Sequence, residues 1–207
     1  MQAELALARL GQPTKTSAKT QFHCASIELW QDSPSQPVIE VTVKGVVGAS
    51  TIIGTWDRLL LAIWRGEATS EAAQKLLKAG RDFVAARGAH PVNYLAIIES
   101  RSPPPADKVR KELSACFREF APAMKHQIFV GEGSGFRAAL VRGVGLAVST
   151  LAPSLLPFKF AGSLDEAALT IAPHLSTQAG GAEGLKAAVA QLRRHLDELP
   201  PEPGSGS

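Results

Sequence analysis

Apolar and polar positions follow two rhythms along this chain, and the switches between them lay out its elements. Phe22–Trp30 alternates partially with a period of two, as a strand does. Asp32-Ser33-Pro34-Ser35-Gln36-Pro37 is a turn cluster. Val38–Val47 is rich in β-branched residues, with Glu40, Thr42 and Lys44 on one face, so it predicts a second strand with one wetter side. A connection this short allows an antiparallel return and no parallel crossover, so Phe22–Val47 is expected to form a hairpin. Ser50 or Thr51 can cap a helix running to about Trp64, with Trp56, Leu60, Ile63 and Trp64 facing inward. Gly66 breaks it. Thr69 opens another helix, which reaches Arg87 and stops at Gly88.

Val92–Glu99 is a nearly continuous apolar run, suited to a strand buried on both faces. Beyond the loop Ser102-Pro103-Pro104-Pro105, a helix starting at Ala106 or Asp107 carries Val109, Leu113, Cys116, Phe117 and Phe120 at helical spacing. Gln127–Val130 is a short strand, and Gly131–Gly135 a tight turn into a helix from Phe136 to about Leu151. Phe158–Phe160 is the last strand. Ser163 and Glu166 then form a capping-box pattern for a helix reaching about Leu175. Strands separated by helices predict an α/β fold, a single mainly parallel (mixed) sheet of about five strands with an opening β-hairpin and flanking helices. The domain spans 21–177. Residues 1–20 are expected to be a flexible leader and 200–207 a disordered tail. A Gly-rich linker, 178–184, precedes an amphipathic helix, 185–199. Leu185, Val189, Leu192, Leu196 and Leu199 form a stripe there that could swing out and pair with a second copy.

Composition narrows this picture. With 207 residues, 45% hydrophobic and 20% charged, the chain has the make-up of one globular domain. Its net charge is +3, but the 22 Lys and Arg are dispersed, so a nucleic-acid partner is not expected. Cys24 and Cys116 lie far apart in runs that look buried, which fits two thiols in a reducing compartment. The most apolar stretch, Ala138–Pro157, is interrupted by Arg142, Gly143, Gly145 and Pro153, whereas a membrane span needs about 20 largely unbroken apolar residues. The N-terminus lacks the pattern of a signal peptide. A cytoplasmic protein is the expectation.

Candidate chemistry is sparse. The five histidines show no metal-binding spacing, and nothing predicts a catalytic residue, a metal or a cofactor. The charge run Asp107–Glu112 fits a solvated helix face. Gly131, Gly133, Ser134, Gly135 and Arg137 lie between a strand and a helix, where backbone amides can hold an anion. A structural turn is the plainer reading, because no Lys-Ser/Thr pair follows and Phe136 stands where a dinucleotide fingerprint has a small residue. Ser100, Arg101 and Ser102, with Arg110 on the next helix, follow the most buried strand. Open α/β sheets bind ligands and partners beyond that edge, although a loop capping the next helix explains the same residues.

The element order, the opening hairpin Phe22–Val47 and the short last strand followed by Ser163-Leu164-Asp165-Glu166-Ala167-Ala168-Leu169 resemble the STAS family, the SpoIIAA-like anti-sigma-factor antagonist domains. The resemblance covers 22–175. It implies a non-enzymatic, cytoplasmic, bacterial regulatory module that binds another protein. The family's switch is a modifiable Ser or Thr in an Asp-Ser-Ser-Gly-like stretch after the third strand. Here Glu99-Ser100-Arg101-Ser102-Pro103-Pro104-Pro105 occupies that place, with serines at 100 and 102. The alternatives are a small-molecule or nucleotide-binding domain using the Gly131–Gly135 turn, and a structural subunit self-assembling through 185–199.

Overall fold

A computed structural model describes residues 39–133 and 158–200. The expected strand Phe22–Trp30, the helix Phe136–Leu151, the leader 1–20 and the tail from residue 201 onward lie outside the described residues.

Among the described residues, six strands form one mixed sheet in sequential order: β1 (Thr42–Val47), β2 (Thr51–Trp56), β3 (Leu59–Trp64), β4 (Val92–Ile98), β5 (Met124–Gly131) and β6 (Phe158–Ala161). The pairs β1–β2 and β2–β3 are antiparallel, and β3 through β6 run parallel. The α/β class and the mixed, mainly parallel sheet match expectation, with six strands among the described residues, where four of the expected five fall.

Two strands beyond expectation, β2 and β3, come from Ser50–Trp64, which is a β-hairpin and not a helix. Trp56, Leu60, Ile63 and Trp64 do fall at helical spacing, but the residues between them are apolar as well. A helix hides one stripe, whereas strands covered on both faces hide every side chain. All six residues of β2 and all six of β3 are buried. The two-residue turn Asp57-Arg58 joins them, with Asp57 at φ +48°, a conformation that Asp tolerates better than most residues. β1 pairs antiparallel with β2 through Gly48-Ala49-Ser50, while the first strand of the expected Phe22–Val47 hairpin lies outside the described residues.

Helix α1 (Ser70–Arg87) connects β3 to β4, and α2 (Asp107–Phe120) connects β4 to β5. Both lie on one face, closing a core with Ile53, Leu60, Tyr94, Leu76 and Phe117. The Thr69 hydroxyl accepts from the Ala72 amide at 3.2 Å and caps α1. On the other face, α3 (Leu164–Ile171) and α4 (Gly181–Asp197) cover Ile52, Leu61, Leu95 and Val130. The expected Ser163 cap is present, and Glu166 reaches back one residue beyond it instead of to the Ser163 amide of a full capping box. Ser163 Oγ accepts from the Glu166 amide at 3.2 Å, and Glu166 Oε2 accepts from the Gly162 amide at 2.7 Å.

The expected linker 178–184 is largely structured. Helix α4 already begins at Gly181, and Leu185, Ala188, Val189, Leu192 and Leu196 are at most 1% exposed against the chain's own sheet. The apolar stripe offered for pairing with a second copy is therefore spent inside the chain. Gly184 is a packing residue, because a Cβ there would stand 1.7 Å from the Ala179 carbonyl oxygen.

At the amino-terminal end of β5, His126 stacks on His174, which ends the turn after α3, with ring centroids 3.9 Å apart. Partial burial holds both below their ordinary pKa. The neighbouring ring adds to this for His126, and Lys125 and Lys159 add to it for both. A histidine whose pKa is depressed on folding takes up protons more readily when unfolded. Its contribution is complete above the unfolded value of about 6.5 and is lost as pH falls through the lower folded value. We expect the melting temperature to drop between pH 7.5 and pH 5, and to drop less in His126→Gln/His174→Gln. A pH dependence unchanged by the double substitution would contradict this.

Candidate functional site

The carboxyl ends of β3, β4 and β5 meet at one edge. The backbone extends the ladder there: the Glu99 amide donates to the Trp64 carbonyl and the Glu132 amide to the Ile98 carbonyl, each at 2.8 Å. An ion-pair chain ties these ends to α4. Arg65 Nε lies 2.9 Å from Glu99 Oε2, and Arg65 Nη1 lies 2.7 Å from Asp197 Oδ1. Arg193 Nε lies 3.4 Å from Glu99 Oε1, and Arg193 Nη2 lies 2.6 Å from Glu132 Oε1. Glu99, at 19% exposure, sits between two arginines, a partly desolvated arrangement in which each charge is answered.

Above this floor stands the loop that the sequence singles out. Gly133, at φ +119°, comes so close to Ser100 that a Cβ on it would lie 3.2 Å from the Ser100 Cβ. Ser100 and the turn beginning at Gly131 thus form one surface. Ser100 and Arg101 are exposed. Ser102 turns inward, its hydroxyl donating to the Gly66 carbonyl at 2.8 Å and its amide to the Glu99 carbonyl at 2.9 Å. Arg110 Nη2 reaches Asp107 Oδ1 at 2.6 Å on the first turn of α2. Ser134, Gly135 and Arg137 lie outside the described residues. Within the turn that is described, the Glu132 carboxylate, which would repel an anion, is engaged by Arg193.

Ser102 and Arg110 share a second feature, a cavity of about 120 Å³ between α2 and the β4–β6 strands. Its walls are aromatic. Tyr94, Phe117, Phe129 and Phe158 meet edge-to-face or tilted at centroid distances of 5.1–5.9 Å, and Phe160 extends the cluster from Phe129 at 5.8 Å. Nothing local in the sequence marks these rings, which come from four elements. The nearest signal is Phe158-Lys159-Phe160, two rings on one face of a strand.

The other chemistry-bearing residues are structural. Cys116 is a free buried thiol against the Ala73 carbonyl, at 3.5 Å, and burial pushes its pKa up to about 11, so it is no ready nucleophile. Trp56 and Trp64 are each 6% exposed, on opposite faces of the sheet. Among the described residues no group of three or more His, Cys, Asp or Glu could hold a metal, and the His126–His174 pair sits beside two lysines, a poor setting for a cation. No described helix is long and apolar enough to cross a membrane. No family, curated protein or solved structure compared with this chain matches it.

Proposed function

We propose that this chain is a non-enzymatic, cytoplasmic interaction module of STAS-like build, of the bacterial regulatory kind, which docks another protein through the carboxyl edge of its sheet. The observation that carries this reading is the convergence of Ser100 and Arg101 with the Gly131–Gly133 turn on one exposed surface. Beneath it, Glu99 and Glu132 are engaged by Arg65 and Arg193, which holds the strand ends to α4 and gives the loop a fixed base. Arg101 stands exposed above that base, so the fitting partner presents carboxylates, and charge complementarity of this kind governs encounter rate and partner choice. What supports the STAS-like part of this reading is the single mixed sheet and the capped helix after a short last strand; the Glu99–Pro105 loop follows β4, the fourth described strand. Modification of Ser100 would place negative charge beside Arg101 and alter that surface. Modification of Ser102 would break its bond to the Gly66 carbonyl.

Affinity capture from the source cells tests this reading. Arg101→Glu is expected to retain the wild-type melting temperature and to lose at least tenfold of the captured partner. Equal capture by both proteins would contradict the proposal.

A further inference from the structure

The aromatic cavity beneath the Ser102 loop is more than a packing defect. Two groups in its lining have a proton left to donate: the Tyr94 hydroxyl, whose oxygen is met by the donor-only Trp64 indole, and Arg110 Nε, which lacks a partner among the described residues. Tyr94 is 0% exposed, and its burial pushes its pKa well above the ordinary value, so the hydroxyl keeps its proton and remains a donor. An unmade hydrogen bond on a buried donor costs about 1–3 kcal/mol, a penalty folded proteins seldom leave standing. The Arg110 guanidinium, 40% exposed and paired through Nη2 with Asp107, keeps its charge and its Nε donor.

Much of the remaining wall is the tilted and edge-to-face ring cluster of Tyr94, Phe117, Phe129 and Phe158, and aliphatic side chains such as Ile98 and Leu113 complete it. It offers an aromatic guest the tilted and edge contacts that rings prefer. At about 120 Å³ the cavity is on the scale of one ring, since an apolar cavity of about 150 Å³ takes benzene. Ser102 and Ser114 line the same cavity, and their hydroxyl protons are already committed to the Gly66 and Arg110 carbonyls. The polarity left in the lining therefore calls for acceptors of negative charge.

We infer that this cavity is a binding site for a small aromatic carboxylic acid, its ring among Phe117, Phe129 and Phe158 and its carboxylate on Arg110. Few, well-placed polar groups in an otherwise apolar pocket are the ordinary make-up of a small-molecule site. The inference concerns the inside of the domain and stands independently of the docking edge.

Calorimetric titration of the full chain with phenylacetate and with its neutral isostere phenylacetamide tests it. Phenylacetate is expected to bind saturably at one site per chain. Arg110→Gln should weaken phenylacetate at least tenfold while changing phenylacetamide less than twofold, and Tyr94→Phe should weaken phenylacetate severalfold, with both variants melting as wild type does. No saturable binding of phenylacetate overturns the inference. Equal losses for both ligands in Arg110→Gln overturn it as well, because the arginine would then not be reading the acid.

Discussion

Ending the chain at Gly180 is expected to abolish cooperative folding. Helix α4 contributes Leu185, Val189, Leu192 and Leu196 to the core, all at most 1% exposed. Burying side chains of this size stabilises by about 1.5–3 kcal/mol each, so the four together supply on the order of 6–12 kcal/mol. Whole domains are stable by only about 5–15 kcal/mol. The loss also uncovers Val41, Ile52, Trp56 and Leu61 on the sheet and strips Arg65 and Glu99 of their partners on α4. The shortened protein should bind a hydrophobic dye strongly and show no sharp thermal transition. A cooperative melt within a few degrees of the full chain would mean that α4 is the detachable appendage its glycine-rich approach suggests.

The second large effect runs against helix propensity. Alanine in a helix interior is favoured over glycine by about 1 kcal/mol, and Gly80 lies mid-helix in α1. Yet a Cβ at that position would stand 2.2 Å from Phe120 Cζ, and 2.6 and 2.7 Å from two further atoms of the ring. Phe120 is 2% exposed and locked in the α1–α2 core, so the ring has nowhere to swing. Overpacking of this kind costs typically about 1–3 kcal/mol, and it rises where the helix backbones must separate. Gly80→Ala is expected to lower the unfolding free energy by about 1–3 kcal/mol in urea titrations. Adding Phe120→Leu should restore part of that loss, a coupling that a double-mutant cycle reads directly. A stabilised Gly80→Ala would show that the two helices pack less tightly than the structure has them.

These two sites also show where sequence reasoning stops. Elements whose signals are local came through. The Thr69 and Ser163 caps, the buried run Val92–Ile98 and the amphipathic α2 each announce themselves within a few residues. The β2–β3 hairpin did not, because a wholly apolar segment satisfies helical and strand spacing alike, and the turn Asp57-Arg58 lacks the glycine that marks most two-residue hairpins. Glycine misled in the other direction at 184. In sequence, a glycine-rich stretch suggests slack. In the structure, Gly184 is the only residue type that lets the helix pass the Ala179 carbonyl. The candidate edge was legible through Ser100, Arg101 and Ser102, since a loop after a buried strand is where α/β sheets expose function. The ion-pair chain joining Arg65 and Glu99 to Arg193 and Asp197 was not, because its members are as far apart as 132 residues. The stacked His126–His174 pair and the aromatic cavity escaped for the same reason: their members meet only once the sheet forms.

The docking edge is tested most directly by site-specific photocrosslinking in the source cells. A photoreactive residue placed at Arg101 is compared with one at His90, which is exposed in the turn before β4, at the opposite end of the sheet. A discrete covalent adduct to one partner protein from position 101, with none from position 90, is the predicted result. Adducts from position 90 alone, or equal labelling from both, would contradict the assignment of the carboxyl edge as the working surface.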